Sequence, residues 1–194
     1  MIEELAFADE GVGVVTPLHQ IVSNAHSLYS AKQIDAAIDR LAVALTVSLQ
    51  DAAPLLLCDS PGGSYLTGML MRRMVFPMQL GQLWLAENSE PEVRVEANAN
   101  ISRRQILLIS SDNFDTDRFA KISAYLVEAG AASVRHAVLA SLDNGTQTGP
   151  NTFTCVHTRT IQLVGCGFGY KGYGRNLPSL YQWSEGTSSA NRRG

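Results

Sequence analysis

The sequence predicts an α/β fold, a mostly parallel open sheet with helices on both faces and a small hood. Three observations carry this. Short continuous apolar runs, LLLC at 55–58 and QILLIS at 105–110, are what strands buried on both faces show. Segments with helical apolar spacing alternate with them. Turn-forming stretches such as DSPGGS and SDNFDTD separate the two kinds of element. Alternation of this kind calls for parallel strands joined by helical crossovers.

Along the chain, Ser30 followed by Gln33 is a capping box that opens a helix with Ile34, Ile38, Leu41, Leu45 and Leu49 on one face. Pro54 introduces the first buried strand. DSPGGS ends it, and YLTGMLMRRMV reads as a second helix to about Val75, with Met69, Met71 and Met74 in the core. Residues 79–86 read as extended, and 87–104 is polar without periodicity. After QILLIS, Ser111–Asp117 reads as a loop. The helix that follows turns Phe119, Ile122 and Leu126 inward and ends at Gly130. Val134–Ala140 and Thr160–Gly165 are further strand candidates. One domain is expected over residues 1–183, with 184–194 a disordered tail.

Composition narrows the function. The 194 residues are 45% hydrophobic and 17% charged, with a formal net charge of −3. That balance argues against a broad basic nucleic-acid surface, and no apolar run is long enough to cross a membrane. The opening MIEELAFADE is acidic, unlike a signal or transit peptide. Cys58, Cys155 and Cys166 cannot all pair, and they read as buried thiols in a reducing compartment; a cytoplasmic protein is expected.

In a sheet of this kind ligands sit beyond the carboxyl ends of the strands. Asp59–Ser64 and Ser111–Asp117 should meet there, with the loop after Ala140. The Pro-Gly-Gly of the first segment is either a plain strand-to-helix turn or a nest whose N–H groups receive phosphate. In the second, Asp112 and Asp115 suit ribose hydroxyls or Mg²⁺-bound waters, and Thr116 a phosphate; equally, the acids and Thr116 cap a helix. A third stretch, GCGFGYKGYGRNLP from Gly165, combines glycines with Phe168, Tyr170 and Tyr173 and with Lys171 and Arg175. It is either a flat-base stacking loop or an ordinary glycine-rich turn, and it lacks the spacing of a dinucleotide site. Cys155 and His157 share a strand face, but no second pair accompanies them to hold a metal.

Taken together and in order, these segments resemble the hypoxanthine-guanine phosphoribosyltransferase family, of the type I phosphoribosyltransferase fold, over roughly Val22–Gln182. LYSAKQIDAAIDRLAVAL is similar to its first helix, PLLLCDSPGG with YLTG to its pyrophosphate loop, and MVFPMQLGQLWLAEN to the strand entering its flexible loop. QILLISSDNFDTD is similar to its phosphoribosyl diphosphate motif, and GFGYKGYGRNLPSLY to its closing segment. The resemblance implies catalytic roles for Asp112 and Asp115, with Asp112 as the candidate Mg²⁺ ligand. It implies phosphate or pyrophosphate contacts for Gly62, Gly63, Ser64 and Thr116, and base contacts for Phe168 and Asn144. It also implies Mg²⁺ as cofactor of an active enzyme, purine and phosphoribosyl diphosphate as ligands, and a homodimer or larger homo-oligomer.

The resemblance also carries departures. Ser111 stands where the family has its first ribose-binding acid, and Asp117 where it has the glycine that admits the phosphate. A carboxylate about 4 Å from a phosphate charge repels it by up to roughly 4 kcal/mol per charge pair at an effective dielectric of about 20. Asn144 stands where a lysine reads the base, Gly169 where an acid helps hold a second Mg²⁺, and Glu87-Asn88-Ser89 in place of the flexible loop's usual start. Departures at every subsite lead to the expectation of a degenerate site, impaired in catalysis and binding purine nucleotides weakly at most. An active purine salvage transferase and a non-catalytic partner subunit are the alternatives.

Overall fold

The computed structural model describes residues 25–84, 100–143 and 151–183, and the backbone of 92–95. The tail from 184 and Asn144 lie outside the described residues, as do 85–91 and 96–99. Nine strands and three helices are described: β1 (His26–Tyr29), α1 (Ala31–Leu49), β2 (Leu55–Asp59), α2 (Ser64–Met71), β3 (Gln79–Trp84), β4 (Glu92–Val95), β5 (Gln105–Asp112), α3 (Thr116–Glu128), β6 (Ser133–Leu142), β7 (Thr152–Thr158), β8 (Leu163–Val164) and β9 (Leu180–Gln182).

The main sheet has the order β4-β3-β2-β5-β6-β7. Every neighbouring pair is parallel except β3 with β4, which is antiparallel. The chain crosses from β2 to β3 on one side and then reaches β5 on the other, so the strand order reverses between β2 and β5. A crevice opens at such a point, beyond the carboxyl ends of the two strands. Alternation within the buried strands divides the core. Leu56, Leu107, Ile109 and Leu139 face α1 and α2, whereas Leu55, Leu57, Leu83, Ile106, Leu108 and Val138 face Phe119, Ile122 and Leu126 of α3. Helices therefore cover both faces, as the apolar runs predict.

The smaller sheet, β1-β9-β8, is antiparallel and forms the hood. Tyr29 of β1 donates its hydroxyl to the carbonyl of His157 on β7 at 2.6 Å, tying hood to sheet.

Local chemistry sets the helix starts. Ser30 Oγ accepts from the Gln33 amide, and Gln33 Oε1 accepts from the Ser30 amide. Gly130, at φ +88°, ends the turn after α3. The structure corrects four expectations. Met71 is 43% exposed, although Met74 beyond it is buried, and α2 stops at Met71 rather than running to Val75. Residues 111 and 112 belong to β5 rather than to a loop, since Asp112 pairs with Ala140 of β6. The stretch 87–104 contains β4, held by its ladder to β3 despite its polar composition. The strand expected at 160–165 is only two residues long, while β7 lies upstream, its apolar alternation interrupted by Thr154 and His157.

Candidate functional site

The crevice between β2 and β5 is where the first two predicted segments meet. A cavity of about 250 Å³ lies there, lined by Asp59, Ser60, Pro61, Gly62, Ser111, Asp112, Arg118 and Arg175. Asp59 ends β2 and is buried at 7% exposure. Arg118, in the first turn of α3, grips it with Nη1 to Oδ2 and Nη2 to Oδ1, each at 2.6 Å. Ser110 Oγ adds a third hydrogen bond to Oδ2 at 3.0 Å. A buried carboxylate requires such partners, since unpaired burial of a charge is costly. The hydrogen bond to Asp59 holds the Arg118 guanidinium protonated more firmly than usual, against the opposing effect of its burial.

The turn after β2 has a cis Ser60–Pro61 peptide. Its donors are largely occupied within the protein. The Ser60 amide donates to Leu83 O, that of Gly63 to Asp59 O and that of Ser64 to Pro61 O. Pro61 has no N–H, and the Gly62 amide makes no backbone bond among the described residues. Gly63 is needed for a steric reason. A Cβ there would meet Ile109 O at 2.2 Å, so only glycine lets the start of α2 lie directly on β5. Ser64 is exposed at the head of that helix.

On the β5 side, Asp112 is held by its own strand end. Its Oδ2 accepts from Ser111 Oγ at 2.8 Å, and Oδ1 accepts from the Phe114 amide at 3.2 Å. Asp115 is the N-cap of α3, its side chain accepting from the Arg118 amide at 2.9 Å. Thr116 and Asp117 follow, both exposed.

The closing segment folds down over this region. Gly167, at φ +100°, would place a Cβ 2.4 Å from Gly62 O, which locates it directly on the backbone of the turn after β2. Arg175 donates Nη1 to Gly167 O at 2.5 Å and lies against Gly169. Phe168 is buried and lies near-parallel to Phe114, with ring centroids 6.2 Å apart and planes 21° from parallel. Below the loop, burial pushes the Cys166 thiol up to about 12, and burial together with Cys166 raises the Tyr65 hydroxyl further.

The structure therefore brings Gly62, Asp112 and Ser111 onto one cavity. Ser64 and Thr116 stand exposed at the heads of α2 and α3, Asp115 turns to its own helix, and Phe168 meets Phe114. Arg118 was not singled out in the sequence. Its signal was an arginine directly after Asp117, the last of three acids, and only the adjacency of β2 and β5 identifies Asp59 as its partner. Asp112 is the carboxylate on the cavity that could hold Mg²⁺ through waters and a ligand's phosphates. Among the described residues no three His, Cys, Asp or Glu side chains converge, and Arg118 already supplies the cation that Asp59 faces.

No protein-family model matches the chain, and no curated protein matches it in sequence. Solved structures do. A hypoxanthine-guanine-xanthine phosphoribosyltransferase superposes with a TM-score of 0.71 at 20% identity, covering 84% of this chain and 99% of that one. A hypoxanthine phosphoribosyltransferase from Staphylococcus aureus gives 0.74 at 15% identity, covering 84% and 96%. That of Trypanosoma cruzi gives 0.71 at 13% identity, covering 82% and 97%. From sheet order to hood, this chain has the fold of the hypoxanthine-guanine phosphoribosyltransferases, far diverged in sequence.

Proposed function

We propose that this chain is a phosphoribosyltransferase-fold protein with a degenerate phosphoribosyl diphosphate site, impaired in catalysis and binding purine nucleotides weakly at most. The observation that carries the reading is the Asp59–Arg118 pair at the head of the crevice. In a phosphoribosyl transfer the base attacks C1 of the ribose as pyrophosphate leaves. The site must supply positive charge to the leaving group and donors to its oxygens. Here Arg118 is directed to Asp59, three loop amides to backbone carbonyls, and both oxygens of Asp112 to neighbours within β5 and its turn. Phe114 against Phe168 supports the same reading, because one face of the ring proposed to stack a purine is already covered. Asp115, proposed as catalytic by resemblance, serves as a helix cap. Asn144 remains a proposed base contact from the resemblance alone.

Thermal unfolding with Mg²⁺ and phosphoribosyl diphosphate, and separately with purine monophosphates, tests this. A ligand at a hundred times its dissociation constant adds about 2.7 kcal/mol of stability, enough to move the midpoint by several degrees. The expected result is a small shift at millimolar nucleotide and no nucleoside monophosphate formed from base and phosphoribosyl diphosphate. Turnover at an ordinary enzymatic rate overturns the reading in favour of a purine salvage transferase. No shift with any ligand removes the binding part and leaves a scaffold.

A further inference from the structure

The charged side chains that line the crevice are Asp59 and Asp112 on one side of the balance, Arg118 and Arg175 on the other, so their formal charges cancel. The two guanidinium groups are held differently. Arg118 turns both Nη atoms to Asp59, at 2.6 Å each, in the forked geometry that a guanidinium also offers to phosphate. Arg175 donates Nη1 to Gly167 O and packs against Gly169, where a Cβ would stand 3.0 Å from its Cζ and Nε. The absence of a side chain at 169 makes room for this arginine at the cavity wall.

A buried ion pair is a poor source of net stability, because desolvation of the two charges offsets much of their attraction. Well-packed apolar residues of similar size would join β2 to α3 as well. What the Asp59–Arg118 pair does besides is occupy the guanidinium that borders the crevice. A carboxylate seated there competes with any anion arriving from solvent. Being part of the chain, it gives up no translational freedom to bind.

We propose that Asp59 is a built-in counter-anion that withholds Arg118 from ligands, and that removing its charge opens the crevice to small multivalent oxyanions. The inference rests on the weak phosphate site proposed above and deepens it, by assigning the weakness chiefly to one carboxylate. With residue 59 neutral, the cavity lining carries one net positive charge, and Arg118 is free to turn at least one Nη to a ligand. The Gly62 amide, which makes no backbone bond among the described residues, is a further donor on the same wall. Asp112 remains as the opposing charge, its oxygens held by Ser111 Oγ and the Phe114 amide.

Isothermal titration of the full chain with inorganic pyrophosphate, in metal-free buffer of low ionic strength, tests the proposal. The wild type should bind in the millimolar range. Asp59→Asn should bind roughly tenfold to a hundredfold more tightly, the gain expected when a charged donor becomes available to the ligand. Adding Arg118→Gln to that variant should abolish the gain, because the guanidinium is what receives the anion. Asp112→Asn removes the same charge from the same cavity without releasing Arg118, so its gain should be clearly smaller. Melting temperatures verify folding, and Asp59→Ser replaces the amide variant if that one unfolds. An unchanged affinity in the Asp59 variant overturns the proposal while the weak wild-type site, and the function proposed above, stand. A gain that survives loss of Arg118, or that Asp112→Asn matches, overturns it as well. Micromolar binding by the wild type overturns the weak-site reading itself, and the counter-anion with it.

Discussion

Arg118 and Asp59 are joined by two parallel hydrogen bonds of 2.6 Å that close the gap between the start of α3 and the end of β2. The two residues are far apart in the chain, and the pair spans the point where the strand order reverses. It fixes the relation between the two halves of the crevice and keeps a guanidinium where the fold offers space to an anion.

Removing one partner of such a pair leaves the other charge buried. Arg118→Ala should therefore cost about 3 kcal/mol, most of it the desolvation of Asp59. Asp59→Asn leaves a neutral amide that Ser110 still donates to, so it should cost less. Urea unfolding of the two variants checks the order. Equal and small losses would mean that the pair is solvated and contributes little.

The two glycines of the α2 region should respond to alanine in opposite directions. At Gly63 a methyl group collides with Ile109 O and crowds Asp59 O, and overpacking of this kind costs about 1–3 kcal/mol. At Gly68, inside α2, a Cβ meets nothing within 4 Å, so Gly68→Ala should stabilise by up to about 1 kcal/mol through helix propensity. Thermal midpoints of the two single variants are the measurement, and a rise for Gly63→Ala would refute the close approach of α2 to β5.

His136 should make the protein acid-sensitive. Its Nε2 lies 3.0 Å from Ser123 Oγ and its ring 4.8 Å from that of Phe119. Burial lowers its pKa from 6.5 to about 4. Because the folded value is the lower one, the unfolded chain binds the proton first. Stability should be undiminished by this group above about pH 6.5 and fall as the pH drops toward 4, by an amount on the order of 3 kcal/mol. Unfolding free energies measured at pH 7.5, 6 and 5, for the wild type and for His136→Gln, isolate it. The variant should lose that part of the slope.

Much of the architecture was legible because burial leaves a periodic record. The runs at 55–58 and 105–110, the stripe from Ile34 to Leu49 and the capping box at Ser30 each correspond to an observed element. What was hidden depends on partners distant in sequence. The strand β4 is four residues of alternating charge and valine within a polar stretch and exists through its ladder with β3, and β1 and β9 are short segments that stabilise each other. At the crevice, the glycines and acids marked two segments that line one cavity, but the side chains they meet could not be read. A phosphate nest and a turn whose amides bond inward have the same Pro-Gly-Gly, and Arg118 acquires its meaning only from Asp59.

Asp115 offers the sharpest separation of cap from catalyst. As the N-cap of α3, its carboxylate satisfies the Arg118 amide, and loss of such a cap costs about 1 kcal/mol, whereas asparagine caps nearly as well. Asp115→Ala should thus lower the unfolding free energy by about 1 kcal/mol and Asp115→Asn by a few tenths at most. Neither should alter any melting shift produced by purine monophosphates once the change in baseline stability is subtracted. A proton-handling carboxylate behaves differently, because asparagine keeps its shape and loses its charge. Should Asp115→Asn leave stability intact yet abolish nucleotide binding or a measurable turnover, the residue would belong to the chemistry of the site and not only to the start of its helix.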